Sequence, residues 1–150
     1  MVKTLVNAGA NVNARAKNSL PAIAMLASNG MNELISLFIE KGADVNLQSS
    51  GGRTAVYFAA SYNQAVTIKL LFENGASLDV CDQESHSALI VAAQHGYLET
   101  ASMLVELGAN TELQNKHGKT AHDIASSKAP LHGDSSFKGI ARLLKGTRQQ

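Results

Sequence analysis

Apolar positions along the chain come in paired runs separated by a glycine. The clearest copy spans residues 87–110. It opens with Ala88-Leu89-Ile90-Val91-Ala92-Ala93, breaks at Gly96, continues through Met103, Leu104 and Val105, and closes at Gly108-Ala109-Asn110. Apolar residues at helical spacing mark one face of a helix, so each pair of runs predicts two short helices. The Gly-Ala stop recurs at Gly9, Gly42, Gly75 and Gly108, always at a step of 33 residues. Ala22, Ala55, Ala88 and Ala121 keep that step, as do Ala27, Ala60 and Ala93, with Ser126 in the last copy. Several columns held in phase over four copies are the mark of tandem structural repeats.

Local chemistry fits two helices per repeat. Thr54, Ser87 and Thr120 precede the first run, where a hydroxyl can accept from the open N–H groups of a first turn. Pro21 holds that place in the first full copy and suits a first turn, where its missing N–H is not needed. Gly30 and Gly96, with Asn63 in the same column, tolerate the left-handed conformation that ends a helix. The second run is richer in Leu, Ile and Phe, as in Leu34-Ile35-Ser36-Leu37-Phe38-Ile39 and Ile68-Lys69-Leu70-Leu71-Phe72. A single helix pair cannot bury its apolar face, so copies should stack into a solenoid.

These columns resemble the ankyrin repeat, a 33-residue helix–turn–helix unit with Thr-Pro-Leu-His-x-Ala-Ala early and Gly-Ala-x-x-Asn late. The likeness rests on Thr54-Ala55-Val56-Tyr57-Phe58-Ala59-Ala60, Ser87-Ala88-Leu89-Ile90-Val91-Ala92-Ala93, Thr120-Ala121-His122-Asp123-Ile124-Ala125 and Gly42-Ala43-Asp44-Val45-Asn46. It implies an all-α, ankyrin-type solenoid with short β-turn or hairpin tips. One domain is expected over residues 1–150: a half-repeat at 1–13, repeats at 14–46, 47–79 and 80–112, and a capping repeat at 113–150. Ile140-Ala141-Arg142-Leu143-Leu144 reads as a second helix seven residues late, so an insertion is expected within 126–137 and should loop out at Pro130 and Gly133. The motif histidine is replaced by Ala24, Tyr57, Ile90 and Asp123, so a Thr–His ladder between repeats is not expected. The turn glycine, kept as Gly52 and Gly118, becomes Ser19 and Ser85, which should strain those two turns.

Composition narrows the function. The net charge is only +1, which argues against a general nucleic-acid surface. No apolar run is long enough to span a bilayer, and the N-terminus lacks a signal-peptide pattern. A lone cysteine, Cys81, leaves no intrachain disulfide and fits a reducing, intracellular compartment. Gly118-Lys119-Thr120 lacks the upstream glycine of a phosphate-binding loop, because Leu113 stands there, and reads as a turn and a helix cap. The five histidines show no metal-ligand spacing with Cys81, and His122-Asp123 are neighbours on one helix whose side chains should diverge. The basic end, Lys138, Arg142, Lys145 and Arg148, reads as the solvated face of a terminal helix that buries Phe137, Ile140, Leu143 and Leu144.

No catalytic constellation, metal site or cofactor is expected. The resemblance implies a monomeric protein-binding module that uses its turn tips and the concave, exposed side of its first helices. Carried over by column, the contact positions are Lys17, Asn18, Arg53, Gln83, Glu84, His86, Lys116, His117 and Lys119 on the tips, and Ser61, Tyr62, Gln94 and His95 on the helices. Tyr62 and Arg53 are the expected anchors, since Tyr and Arg are enriched at hot spots. The tip row is mixed in sign and more positive toward its C-terminal end, which favours a partner protein of acidic character over nucleic acid or membrane. The alternative reading is an accessory domain of a larger enzyme or secreted bacterial effector.

Overall fold

Alanine at the repeating columns lets helix backbones approach closely, and the chain stacks along that seam. The structure is a computed structural model that describes residues 1–133 and 135–147. An inner layer is formed by α2 (Ala22–Ser28), α4 (Ala55–Ser61), α6 (Ala88–His95) and α8 (Ala121–His132). An outer layer is formed by α1 (Val2–Asn7), α3 (Asn32–Glu40), α5 (Ala65–Glu73), α7 (Leu98–Glu106) and α9 (Ser135–Thr147). Each inner helix packs on the next, and α2 to α8 each also pack on the outer helix that follows. Among the described residues no strand occurs, only an isolated antiparallel bridge between Arg15 and Pro21.

The inner seam is almost sealed. Ala27, Ala59, Ala60, Ala92, Ala93 and Ala125 show no exposed surface at all. Ile35, Ile68, Leu71, Leu104, Ile140 and Leu144 fill the space between the layers as one continuous core. Thr54, Ser87 and Thr120 cap α4, α6 and α8 by accepting from Tyr57, Ile90 and Asp123 N–H. The Asp123 carboxylate returns the bond to Thr120 N at 3.0 Å, closing a capping box. Pro21 stands one place earlier than a first-turn proline, as the extended N-cap of α2, and supplies no side-chain acceptor.

Segment 126–137 does not loop out. α8 runs on through Pro130 to His132, and α9 resumes at Ser135. Seven extra residues amount to about two helical turns, so they lengthen two helices and leave the apolar faces in phase. α8 has 12 residues where α6 has 8, and α9 has 13 where α7 has 9. Pro130 lies in the last turn of α8, where it forgoes the bond a backbone N–H would give to Ser126 O, and Gly133 closes that helix at φ +60°. Arg148 lies outside the described residues.

At the other end, α1 packs chiefly on α3, with a Lys3–Glu33 ion pair at 3.2 Å. Val6 is buried with Val12 and Phe38, while Leu5 remains 53% exposed and Met25 46%. The lack of an inner helix beneath α1 therefore uncovers Leu5 but not Val6. Amides of residues 2–13 should exchange fast and those of residues 54–107 slowly, because a six-residue helix with little packed against it opens at little cost. Equal protection in native-state hydrogen exchange would contradict this.

The strained turns are as expected. Ser19 and Ser85 adopt φ +58° and +60°, beside Gly52 at +79° and Gly118 at +68° in the same column. Ser85→Gly should raise unfolding stability in urea by about 0.5 kcal/mol, the relieved strain being partly offset by a freer unfolded chain.

Candidate protein-binding face

The tips are built alike. In each, the N–H at 16, 49, 82 or 115 donates to the carbonyl four residues on, and the N–H three residues on donates back. Side chains in that first column then differ. Ala16 adds nothing, and Ser49 Oγ accepts from Arg53 N. Asp82 Oδ1 accepts from Glu84 N and His86 N, both at 2.9 Å. Asn115 Oδ1 does the same for His117 N and Lys119 N. Successive tips are also joined. Gln83 N donates to Gly51 O at 3.1 Å, Lys116 N donates to Glu84 O at 3.2 Å, and Arg15 Nη1 donates to Gln48 O.

A second seam runs at the feet of the tips, where the outer helices end. Asn13 Nδ2 donates to Gly42 O and its Oδ1 accepts from Asp44 N. Asn46 repeats this with Gly75 O and Ser77 N. Asp79, next in the column, has no amide donor and only accepts, from Asn110 N at 2.8 Å.

The densest polar cluster surrounds Asp82, whose side chain is 2% exposed. Its Oδ2 accepts from Tyr57 Oη at 3.0 Å and Arg53 Nε at 3.3 Å. The Arg53 guanidinium also lies 5.1 Å from the centre of the Tyr57 ring. His86 Nδ1 stands 3.6 Å from Asp82 Oδ1, while its Nε2 is 3.2 Å from Gln94 Nε2. Burial by itself would raise the Asp82 pKa. The N–H of His86, the Tyr57 hydroxyl, the N–H of Glu84 and the charge of His86 outweigh it, and the net shift is downward. Tyr57 is pushed up to about 12 by burial and then by its bond to that carboxylate. Tyr57 fills the motif-histidine column, so a tyrosine–aspartate bond takes the place of a Thr–His ladder at this joint. Two residues of aligned columns, Tyr57 and Asp82, carried the signal for it.

The expected contact residues divide into exposed and engaged. Lys17, Asn18, His117 and Lys119 are exposed on the first and last tips, and Tyr62 is 60% exposed at the end of α4. Arg53 is held by Asp82 and Tyr57, which makes it a clamp between repeats as well as a surface cation. Glu84 pairs with Lys116 at 3.0 Å, and Gln83 Nε2 donates to Ser50 O. Ser61 Oγ is turned onto Tyr57 O. His95 stacks on Tyr97 with ring centres 5.3 Å apart and keeps Nδ1 2.9 Å from Val91 O. Lys128 Nζ reaches across to Gln94 O at 2.6 Å.

Other chemistry is limited. His122 Nδ1 and Asp123 Oδ1 come within 3.7 Å, closer than neighbours on a helix were expected to be, but that carboxylate already serves Thr120. Burial, then Asp82 and Asp79, raise the Cys81 thiol pKa, which keeps it protonated at neutral pH. Among the described residues no three His, Cys, Asp or Glu side chains converge as metal ligands, and no helix is long and apolar enough to cross a membrane.

The sequence matches the family model for ankyrin repeats in three copies, over residues 1–82 and 67–146. The chain belongs to the ankyrin-repeat family. No curated protein is similar enough in sequence to count as a match. Ankyrin repeats are in general non-catalytic modules that bind other proteins. In this ankyrin domain the second, third and fourth tips are joined by backbone bonds, and buried Asp82 ties Tyr57 and Arg53 of the preceding repeat to the third tip.

A carboxylate with a lowered folded pKa stabilises the fold above its ordinary titration range and loses that contribution as pH falls through the folded value. Unfolding stability should therefore fall in acid, below about pH 4, and Asp82→Asn should flatten that limb. At neutral pH Asp82→Ala should cost on the order of 3 kcal/mol, because Tyr57, Arg53 and two backbone N–H groups lose their acceptor. Urea titrations across that pH range measure both; unchanged stability in Asp82→Ala would contradict the assignment.

Proposed function

We propose that the chain is a non-catalytic, monomeric intracellular module that holds a protein partner on its turn tips and the concave, exposed side of its inner helices. The supporting observation is that adjacent tips are tied to one another while Lys17, Asn18, His117, Lys119 and Tyr62 stay exposed. A row that is already ordered loses little entropy on binding, so more of each contact appears as affinity. Tyr62 is the anchor, a rigid amphipathic side chain at the end of α4. Arg53 contributes mainly by holding its tip against Asp82.

Partner capture from lysate, followed by surface plasmon resonance, tests this reading. Tyr62→Ala should raise the dissociation rate about tenfold, a loss of about 1.4 kcal/mol, with folding unchanged. Lys116→Glu with Lys119→Glu should mainly slow association and weaken its salt dependence. If these variants bind normally while Val66→Lys on α5 abolishes binding, the tip-face reading is wrong.

A further inference from the structure

A net charge of +1 conceals an uneven spread of charge over the stack. In the outer layer, α3, α5 and α7 hold five acids, Glu33, Glu40, Glu73, Glu99 and Glu106, against Lys69 alone, while the terminal helices carry the bases Lys3 on α1 and Lys138, Arg142 and Lys145 on α9. On the opposite side, the tips and inner helices carry Arg15, Lys17, Arg53, Lys116, Lys119 and Lys128. Three acids accompany them, and all are engaged within the chain. Asp82 is buried against Arg53 and Tyr57, Glu84 pairs with Lys116, and Asp123 closes the cap of α8. Lys17 and Lys119 are exposed and make no ion pair among the described residues. Available positive charge thus stands at both ends of the tip row, with Tyr62 exposed on the repeat between them.

We propose that this face receives an extended acidic segment of a partner protein, laid along the row with carboxylates at both ends and neutral residues between. The inference rests on the tip face being the binding surface. Helices pack about 10 Å apart, so three steps from first tip to last make a row of about 30 Å. An extended chain covers that in about nine residues. One acidic cluster then meets Lys17 and the other meets Lys119. The acidic middle helices of the outer layer, α3, α5 and α7, repel the same segment, which orients its approach toward the tips. Nucleic acid fits less well. Its backbone needs an unbroken track of available cations, whereas Arg53, Lys116 and Lys128 are already engaged and Glu84 interrupts the row.

The test is fluorescence anisotropy of the full chain with a labelled peptide of about twelve residues, three carboxylates at each end around a neutral centre. Comparison probes are a peptide with one acidic end, one with lysines in place of the acids, and a thymidine oligonucleotide of equal length. The two-ended peptide should bind best, and its affinity should fall with salt. Lys17→Glu and Lys119→Glu should each weaken it about fivefold, while Glu73→Lys and Glu106→Lys should not weaken it. Equal binding of the one-ended peptide, no effect of the two lysine reversals, or tighter binding of the oligonucleotide at the same salt would overturn the proposal. Selection from an unbiased peptide library separates it from the reading beneath it. Non-acidic peptides that depend on Tyr62 would sink the acidic segment and leave the tip face standing. Peptides that bind regardless of tip substitutions and are lost on Val66→Lys would sink both.

Discussion

Close approach of the inner helices is the condition on which the rest of the stack depends. α4 and α6 can pack against each other only because alanine fills the columns between them, as at Ala59, Ala60, Ala92 and Ala93. A larger side chain there would separate the backbones and open the distances across which the tips bond. Gln83 to Gly51 at 3.1 Å and Lys116 to Glu84 at 3.2 Å exist because the helices below hold the tips at one spacing. The Asn13 and Asn46 bridges at the feet of the tips depend on the same spacing. Hydrophobic contact sets the distance, and both polar seams use it.

Asp82 illustrates what a solenoid does with a buried charge. An isolated carboxylate at 2% exposure would be costly, yet this one accepts from a hydroxyl, a guanidinium and two backbone N–H groups. Two of its donors, Tyr57 and Arg53, come from the preceding repeat, so its satisfaction requires the two repeats to be in register. The neighbouring joint is built differently. Asn115 serves its own tip without a charge, and Asp123 serves its own helix. Identical backbone geometry therefore carries a different polar joint at each level.

The repeat, its helix pair and its stops were legible because they depend on spacing, and spacing survives substitution. Left-handed turns at Ser19, Asn63 and Ser85 were legible for the same reason, since glycine occupies their columns elsewhere. The fate of 126–137 was not. Pro130 and Gly133 are loop signals locally, and only the match between seven residues and two helical turns makes continuation of the helix compatible with the core. Contact positions on the tips could be placed by column, but their engagement could not. Whether Arg53 faces solvent or a carboxylate depends on Asp82, 29 residues away, and no local pattern links the two.

The first tip differs from the others in how it meets its neighbour. Tips two to four are linked by backbone N–H donors, whereas the first leans on the Arg15 side chain reaching Gln48 O. A side chain with several rotatable bonds is a soft spring beside a backbone bond. Under bending or tension the array should therefore behave as a stiff block of three units with a compliant joint at residues 15–48. Strain passed through the four full repeats would collect first at that tip contact, leaving the spacing of the later tips undisturbed.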